Sequence, residues 1–180
     1  RTGAPSVVPG VPPDDYCANG QLWGHPHYRW ATHKRQHFSW WIDRFRLAIS
    51  RFDAIRVDHF IGFVRLYEVA SNAKTARHGV WRRTPGRLLL EVLQQKLGDI
   101  PLIAEDLGEV TPAVHTLRDD FNLPGMRIVQ WGFFGDHSND LPVNHPSRCV
   151  CYPGTHDNDT IRGWYRSLPR QAKTRFNAIT

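Results

Sequence analysis

Residues 101–106 read Pro-Leu-Ile-Ala-Glu-Asp, a short apolar run that breaks off into two adjacent carboxylates. Read as a strand over Pro101–Glu105, it stands between two helical patterns. Pro85 to Leu97 carries Leu89, Val92, Leu93 and Leu97 on one face, with Thr84 as candidate cap and Pro85 at the first helical position. Thr111-Pro112 opens the second helix, with Val114, Leu117 and Phe121 inward. Working outward, the same alternation recurs. Upstream, Phe38, Trp41, Ile42, Phe45, Ala48, Ile49 and Phe52 form the stripe of a core-facing helix, and a strand over Ala54–Asp58 follows it. Downstream, Arg127–Gln130 and Cys149–Tyr152 read as strands, and Ile161, Trp164, Tyr165 and Leu168 recur at i, i+3, i+4 and i+7 of a further helix.

Short apolar strands alternating with helices indicate an α/β protein with a parallel sheet covered on both faces. About four strand-helix units follow Arg35, whereas a complete eight-stranded barrel takes about 250 residues. The expectation is a partial (β/α)8 barrel, with residues 1–180 forming part of one domain, 1–30 a loop region and 31–180 the repeats. An open doubly wound sheet is the alternative, but no Gly-x-Gly-x-x-Gly turn follows any strand. The first fifteen residues, with Pro9, Pro12 and Pro13, read as a connecting loop. The chain opens on Arg1 and its only methionine is Met126, the pattern of an internal segment of a longer protein.

Composition removes several classes. Hydrophobic residues make up 41%, an ordinary globular balance, so disordered, collagen-like and coiled-coil readings fall away. No apolar run approaches the ~20 residues that cross a bilayer. The net charge of +6 is spread along the chain, Lys34-Arg35 and Arg82-Arg83 being the only adjacent Lys/Arg pairs, so it forms no stripe for nucleic acid. Three cysteines make an odd count, and Cys149 and Cys151 lie two apart in a strand, so buried reduced thiols are expected. His25, His27, His33 and His37 are not completed into a zinc motif by any cysteine or carboxylate at ligand spacing.

In a parallel barrel, function collects at the C-terminal ends of the strands, and here those ends are acidic. One ends Arg56-Val57-Asp58-His59, the next Ala104-Glu105-Asp106, and the last runs into Gly154-Thr155-His156-Asp157-Asn158-Asp159. Side chains alternate along a strand, so Arg56 and Asp58 share a face, where the guanidinium favours an ionised carboxylate suited to nucleophilic attack. Glu105, beside that charge in a partly dry site, is expected to hold its proton and to suit a general acid. Two carboxyls tuned apart are the apparatus for cleaving a glycosidic bond, and the retaining mechanism needs them ~5–5.5 Å apart. The same residues also admit structural roles: Asp157 and Asp159 as caps of the following helix, and Arg56 with Asp58 as a buried ion pair.

Five segments in order, Gly20-Gln21-Leu22-Trp23-Gly24-His25-Pro26, Arg56-Val57-Asp58-His59-Phe60, Ile103-Ala104-Glu105-Asp106-Leu107-Gly108, Leu123-Pro124-Gly125-Met126 and Gly154-Thr155-His156-Asp157-Asn158-Asp159-Thr160, resemble the 4-alpha-glucanotransferases of glycoside hydrolase family 77 (amylomaltases, or disproportionating enzymes). The resemblance runs from about Pro12 to Leu168. It implies an alpha-amylase-type barrel with Asp58 as nucleophile, Glu105 as general acid/base and Asp157 as the carboxylate that grips the sugar at the cleaved bond. It further implies that Arg56 supports Asp58 and that His59, His156 and Asn158 line the sugar. The loop Gly20–Tyr28 matches a flexible loop over the cleft with Trp23 as its aromatic contact, and Ala76–Pro85 matches a loop that brings Trp81 to glucan, with packing as the other role for Trp23, Tyr28 and Trp81. His25 and His27 depart from the family, where asparagine and an apolar residue are more usual. The implied reaction transfers α-1,4-glucan segments between malto-oligosaccharides, needs no cofactor or calcium, and runs in the bacterial cytoplasm or the plant plastid. The segment lacks the first barrel strands, so it is expected to be inactive alone. A glucan hydrolase of the alpha-amylase type and a non-catalytic glucan binder are the alternatives.

Overall fold

The computed structural model describes residues 3–14, 17–133 and 139–179. In chain order the strands are β1 (Val7–Val11), β2 (Gln21–Leu22), β3 (Ile55–Val57), β4 (Arg65–Ala70), β5 (Gly79–Arg83), β6 (Leu102–Ala104), β7 (Gly125–Ile128) and β8 (Cys149–Tyr152). The helices are α1 (Trp30–Arg35), α2 (Ser39–Ile49), α3 (Gly86–Leu97), α4 (Pro112–Asp120), α5 (Val129–Gly132), α6 (Ile161–Ser167) and α7 (Arg170–Ile179). Two parallel pairs carry the strand-helix repeat. β3 lies on β6 with Arg56 opposite Ile103, and β7 lies on β8 with Met126 opposite Val150. The Ala104 N–H donates to the Pro124 carbonyl at 2.9 Å, joining β6 to the start of β7, while the Glu105 N–H donates to Val57 on the other edge of β6. The β3-side and β7-side contacts therefore flank β6. The fold is mixed α/β.

Helices α2, α3 and α4 cover these strands. Phe38, Trp41 and Phe45 meet Leu89 and Leu93 of α3 and Val114 of α4, with Leu102 and Ala104 from β6 beneath. Each such Leu or Phe contributes roughly 1.5–3 kcal/mol on burial. Gly86 lets α3 begin hard against a 3-10 turn at Phe60–Phe63, since a Cβ there would stand 2.0 Å from the Phe63 carbonyl oxygen. Phe133, Trp164 and Leu168 make a separate cluster under α6. No helix among the described residues is long and apolar enough to cross a membrane.

Several expectations need correction. The opening residues are not all loop: β1 is an inner strand of an antiparallel sheet ordered β2-β1-β4-β5. Pro9 is tolerated because its carbonyl faces the β2 side, accepting from the Trp23 N–H at 3.2 Å, so the N–H it lacks also lies on that side, beside a strand of only two residues. The Ala76–Pro85 loop contains β5, registered against β4 with Trp81 opposite Tyr67. Helix α3 starts at Gly86, one residue after Pro85, and Thr84 does not cap it; its hydroxyl donates to the Gly62 carbonyl at 2.8 Å. The strand expected over Arg127–Gln130 sits at Gly125–Ile128, because the chain turns into α5 at Val129. Phe52 and Ile161 are exposed, Phe52 lying beyond the end of α2 and Ile161 at the first residue of α6. The thiols are free but not buried: Cys17 and Cys149 are half-buried and Cys151 is exposed, its own pKa raised by partial burial.

Candidate active site

The ends of β3 and β6 bring Arg56, Asp58, His59 and Glu105 together. Arg56 Nη1 lies 2.5 Å from Asp58 Oδ1, so the pair expected from strand alternation forms. After Asp58 the chain turns sharply through His59, held in the left-handed region at φ 49°, which sends Phe60 into the core and exposes the His59 N–H. That N–H donates to Glu105 Oε2 at 2.6 Å, and the Phe60 N–H donates to the Glu105 carbonyl at 3.1 Å. Glu105 is thus gripped through both side chain and backbone by the residues that follow Asp58.

The electrostatics separate the two carboxyls. Burial pushes the Glu105 pKa from 4.5 to about 7, with the nearby Asp58 charge adding to the rise and the His59 N–H and Arg56 opposing it. Both expected causes, the dry site and the Asp58 charge, act in that direction, and desolvation is the larger. Burial lowers the His59 pKa from 6.5 to about 4, against the pull of Asp58. Its ring Nε2 is buried without a hydrogen-bond partner among the described residues. Trp23, after β2, packs edge-on against the His59 ring with centroids 4.7 Å apart and stacks near His25 at 6.0 Å. Thus the Gly20–Tyr28 segment reaches the carboxylate cluster.

The residues after β8 form a second group, in which the side chains of Asn158, His156 and Asp157 bond within the turn itself. Asn158 Oδ1 accepts from the Thr155 N–H at 2.9 Å and from its hydroxyl at 3.1 Å, closing a turn that leaves His156 and Asp157 exposed, His156 Nε2 3.4 Å from Asp157 Oδ2. Thr160, not Asp157 or Asp159, caps α6, its hydroxyl accepting from the Gly163 N–H at 3.1 Å. Trp81 lies apart on β5, tilted against Tyr67 at 5.2 Å with the Arg65 guanidinium 3.9 Å over its ring, so its contacts are those of packing.

Three residues escaped the sequence reading as site residues. Gln130 is buried on α5, and its amide donates to the Asp159 carbonyl at 2.7 Å, bracing the Asp157 turn from behind. Asp106, buried beside Glu105, accepts from the Met126 N–H at 2.8 Å and pairs with Arg118 at 2.5 Å. Met126 in turn meets Arg56. The Leu-Pro-Gly-Met motif was visible, but a contact between positions 56 and 126 has no signature in one sequence. Among the described residues no group of three His, Cys, Asp or Glu side chains could hold a metal ion.

A carboxyl whose hold on its proton is strengthened by burial, beside a guanidinium-paired carboxylate at the ends of adjacent parallel strands, is an arrangement able to supply a proton and an anionic oxygen side by side. Residues 2–180 match the family profile described as 4-alpha-glucanotransferase, of glycoside hydrolase family 77, and the chain belongs to that family. It is 47% identical over 174 residues to the 4-alpha-glucanotransferase of Thermus thermophilus, covering 95% of this chain and 35% of that protein. To the chloroplastic/amyloplastic 4-alpha-glucanotransferase of Solanum tuberosum it is 46% identical, covering 97% of this chain and 30% of the relative. The structure superposes on an amylomaltase from Streptococcus agalactiae solved in complex with acarbose, with a TM-score of 0.88 at 40% identity, over 94% of this chain and 35% of that one. The chain therefore spans about a third of the length of these relatives.

Proposed function

We propose that residues 1–180 are part of the catalytic (β/α)8 barrel of a 4-alpha-glucanotransferase of the alpha-amylase type, with the segment before Trp30 contributing the cover of the cleft. The whole protein moves α-1,4-glucan segments between malto-oligosaccharides, in a compartment that handles soluble glucan, the cytoplasm or a plastid. The observation that carries the reading is the pairing of Glu105, raised to about 7 by burial and gripped by the turn at His59, with an Asp58 held by Arg56.

Asp58 attacks the anomeric carbon while Glu105 protonates the departing glycosidic oxygen, leaving the donor segment esterified to Asp58. Ester formation removes the charge that helps to hold the Glu105 proton. The pKa of Glu105 then falls, and its carboxylate takes the proton of the 4-hydroxyl of an incoming sugar, which displaces Asp58 with net retention. His59 is neutral at working pH, and its ring meets the sugar of the cleaved subsite as an uncharged hydrogen-bonding group. Asp157, with His156 and Asn158 around it, meets the same sugar from the β8 side. Trp23 covers the reacting centre, favouring an acceptor sugar over water. The contacts of Trp81 favour packing over glucan contact.

The test is the parent protein incubated with maltotriose and its products resolved by length. Glucose together with maltotetraose and longer chains supports transfer. Accumulation of glucose and maltose alone makes the protein a hydrolase, and binding of glucan without turnover makes it a binding relative.

A further inference from the structure

Arg56 reaches further than its partner Asp58. From β3 its side chain extends to β7, on the far side of β6, where Nε donates to the thioether sulfur of Met126 at 3.1 Å. Met126 is the only methionine of the chain and its side chain is completely buried. Its backbone is pinned as well: the N–H donates to Asp106, whose carboxylate is fully buried and held by Arg118. Gly125 makes this approach possible, since a Cβ there would stand 2.6 Å from Asp106 Oδ2. A flexible side chain has been fixed from both ends.

The chemistry of the seat matters. A thioether is a neutral, weak acceptor, so it directs the Nε–H without drawing on the guanidinium charge. A carboxylate in the same place would share that charge with Asp58. With Nε occupied by sulfur, the planar guanidinium cannot swing, and Nη1 stays 2.5 Å from Asp58. We propose that Met126 is a positioning residue for the displacement step: its sulfur fixes the plane of Arg56, and Asp106 holds that sulfur in place through the Met126 backbone. The inference rests on the reading of Asp58 as the nucleophile.

Two variants of the parent enzyme, Met126→Leu and Met126→Gln, separate this role from simple packing. Leucine nearly keeps the volume and apolarity but offers no acceptor; glutamine has similar length, adds the cost of a buried amide, and offers an oxygen to Nε. Packing alone ranks leucine above glutamine, and seating Arg56 ranks glutamine above leucine. With maltotriose, Met126→Leu is expected to lower kcat about tenfold while KM stays within about twofold, and Met126→Gln to recover most of that loss. A leucine variant with undiminished kcat, or a glutamine variant slower than the leucine one, overturns the proposal. Wild-type product lengths, read in the same assay, judge the functional reading separately: hydrolytic products would refute transfer while leaving the ranking of the two variants to decide on Met126.

Discussion

The two acidic groups of this molecule are built in opposite ways. At β3 and β6, the Arg56–Asp58 pair is local, but the contacts that hold the group in place cross the fold: Glu105 is held by the His59 N–H and Arg56 by Met126, pairs separated by 46 and 70 residues. After β8, the contacts of His156, Asp157 and Asn158 stay within three residues, and the Asp157 side chain is 73% exposed. The first group is assembled by tertiary structure before any ligand arrives. The second is a braced turn whose carboxylate remains free to meet one. Chemistry that must develop charge at one point needs the rigid kind, while a contact that follows a sugar ring can use the looser kind.

Substitutions should divide along that line. Asp58→Asn in the parent enzyme is expected to lower kcat by about 10⁴-fold or more, since no other group there can form the ester. Glu105→Gln should cost about 10²–10⁴-fold and also abolish the fall of kcat/KM expected of wild type as pH rises through about 7, where Glu105 loses its proton. Asp157→Asn should cost about 10–100-fold in kcat/KM, the worth of charged hydrogen bonds to a sugar, with an unchanged melting temperature because the side chain is exposed. An Asp157 effect as large as that of Asp58, or a loss of stability on its substitution, would erase the distinction between the two groups. Trp81→Phe should change KM by less than about twofold while lowering stability by about 1 kcal/mol, read by product analysis and thermal melting.

The rigid group also makes a stability prediction. Between pH 4.5 and about 7 folded Glu105 keeps a proton that the unfolded chain has released, so its contribution to stability declines as pH rises through that window. Between about 4 and 6.5 folded His59 refuses a proton that the unfolded chain binds, so its contribution is lost as pH falls. The two slopes nearly cancel. Glu105→Gln should uncover the His59 slope, with stability rising by roughly 3 kcal/mol from pH 4 to 6.5 relative to wild type, measured by denaturant unfolding.

Legibility followed the same division. Helices α3 and α4 and strands β6 and β8 were readable within a residue or two, because each is a local apolar pattern bounded by Pro, Gly or Thr. The pairing of Arg56 with Asp58 followed from strand alternation alone. The antiparallel sheet was missed because Pro9 argued against an inner strand, and only the position of Trp23 across the edge explains its acceptance. The Gln130 brace, the Asp106 cradle and the sulfur under Arg56 join distant positions through single contacts, which no periodicity records. Trp81 drew attention through the resemblance of Ala76–Pro85 to a family loop, yet its partners Tyr67 and Arg65 come from a strand that the sequence reading did not include.

The neutral pair has a consequence for how the site meets its surroundings. From about pH 4 to 7 both Glu105 and His59 are uncharged, and Arg56 balances Asp58, so the centre between β3 and β6 carries no net charge in a chain whose formal charge is +6. A glucan is likewise uncharged, so docking there displaces no counterions. Ionic strength, which would govern a basic surface that bound polyanions, should leave substrate affinity at this centre almost untouched.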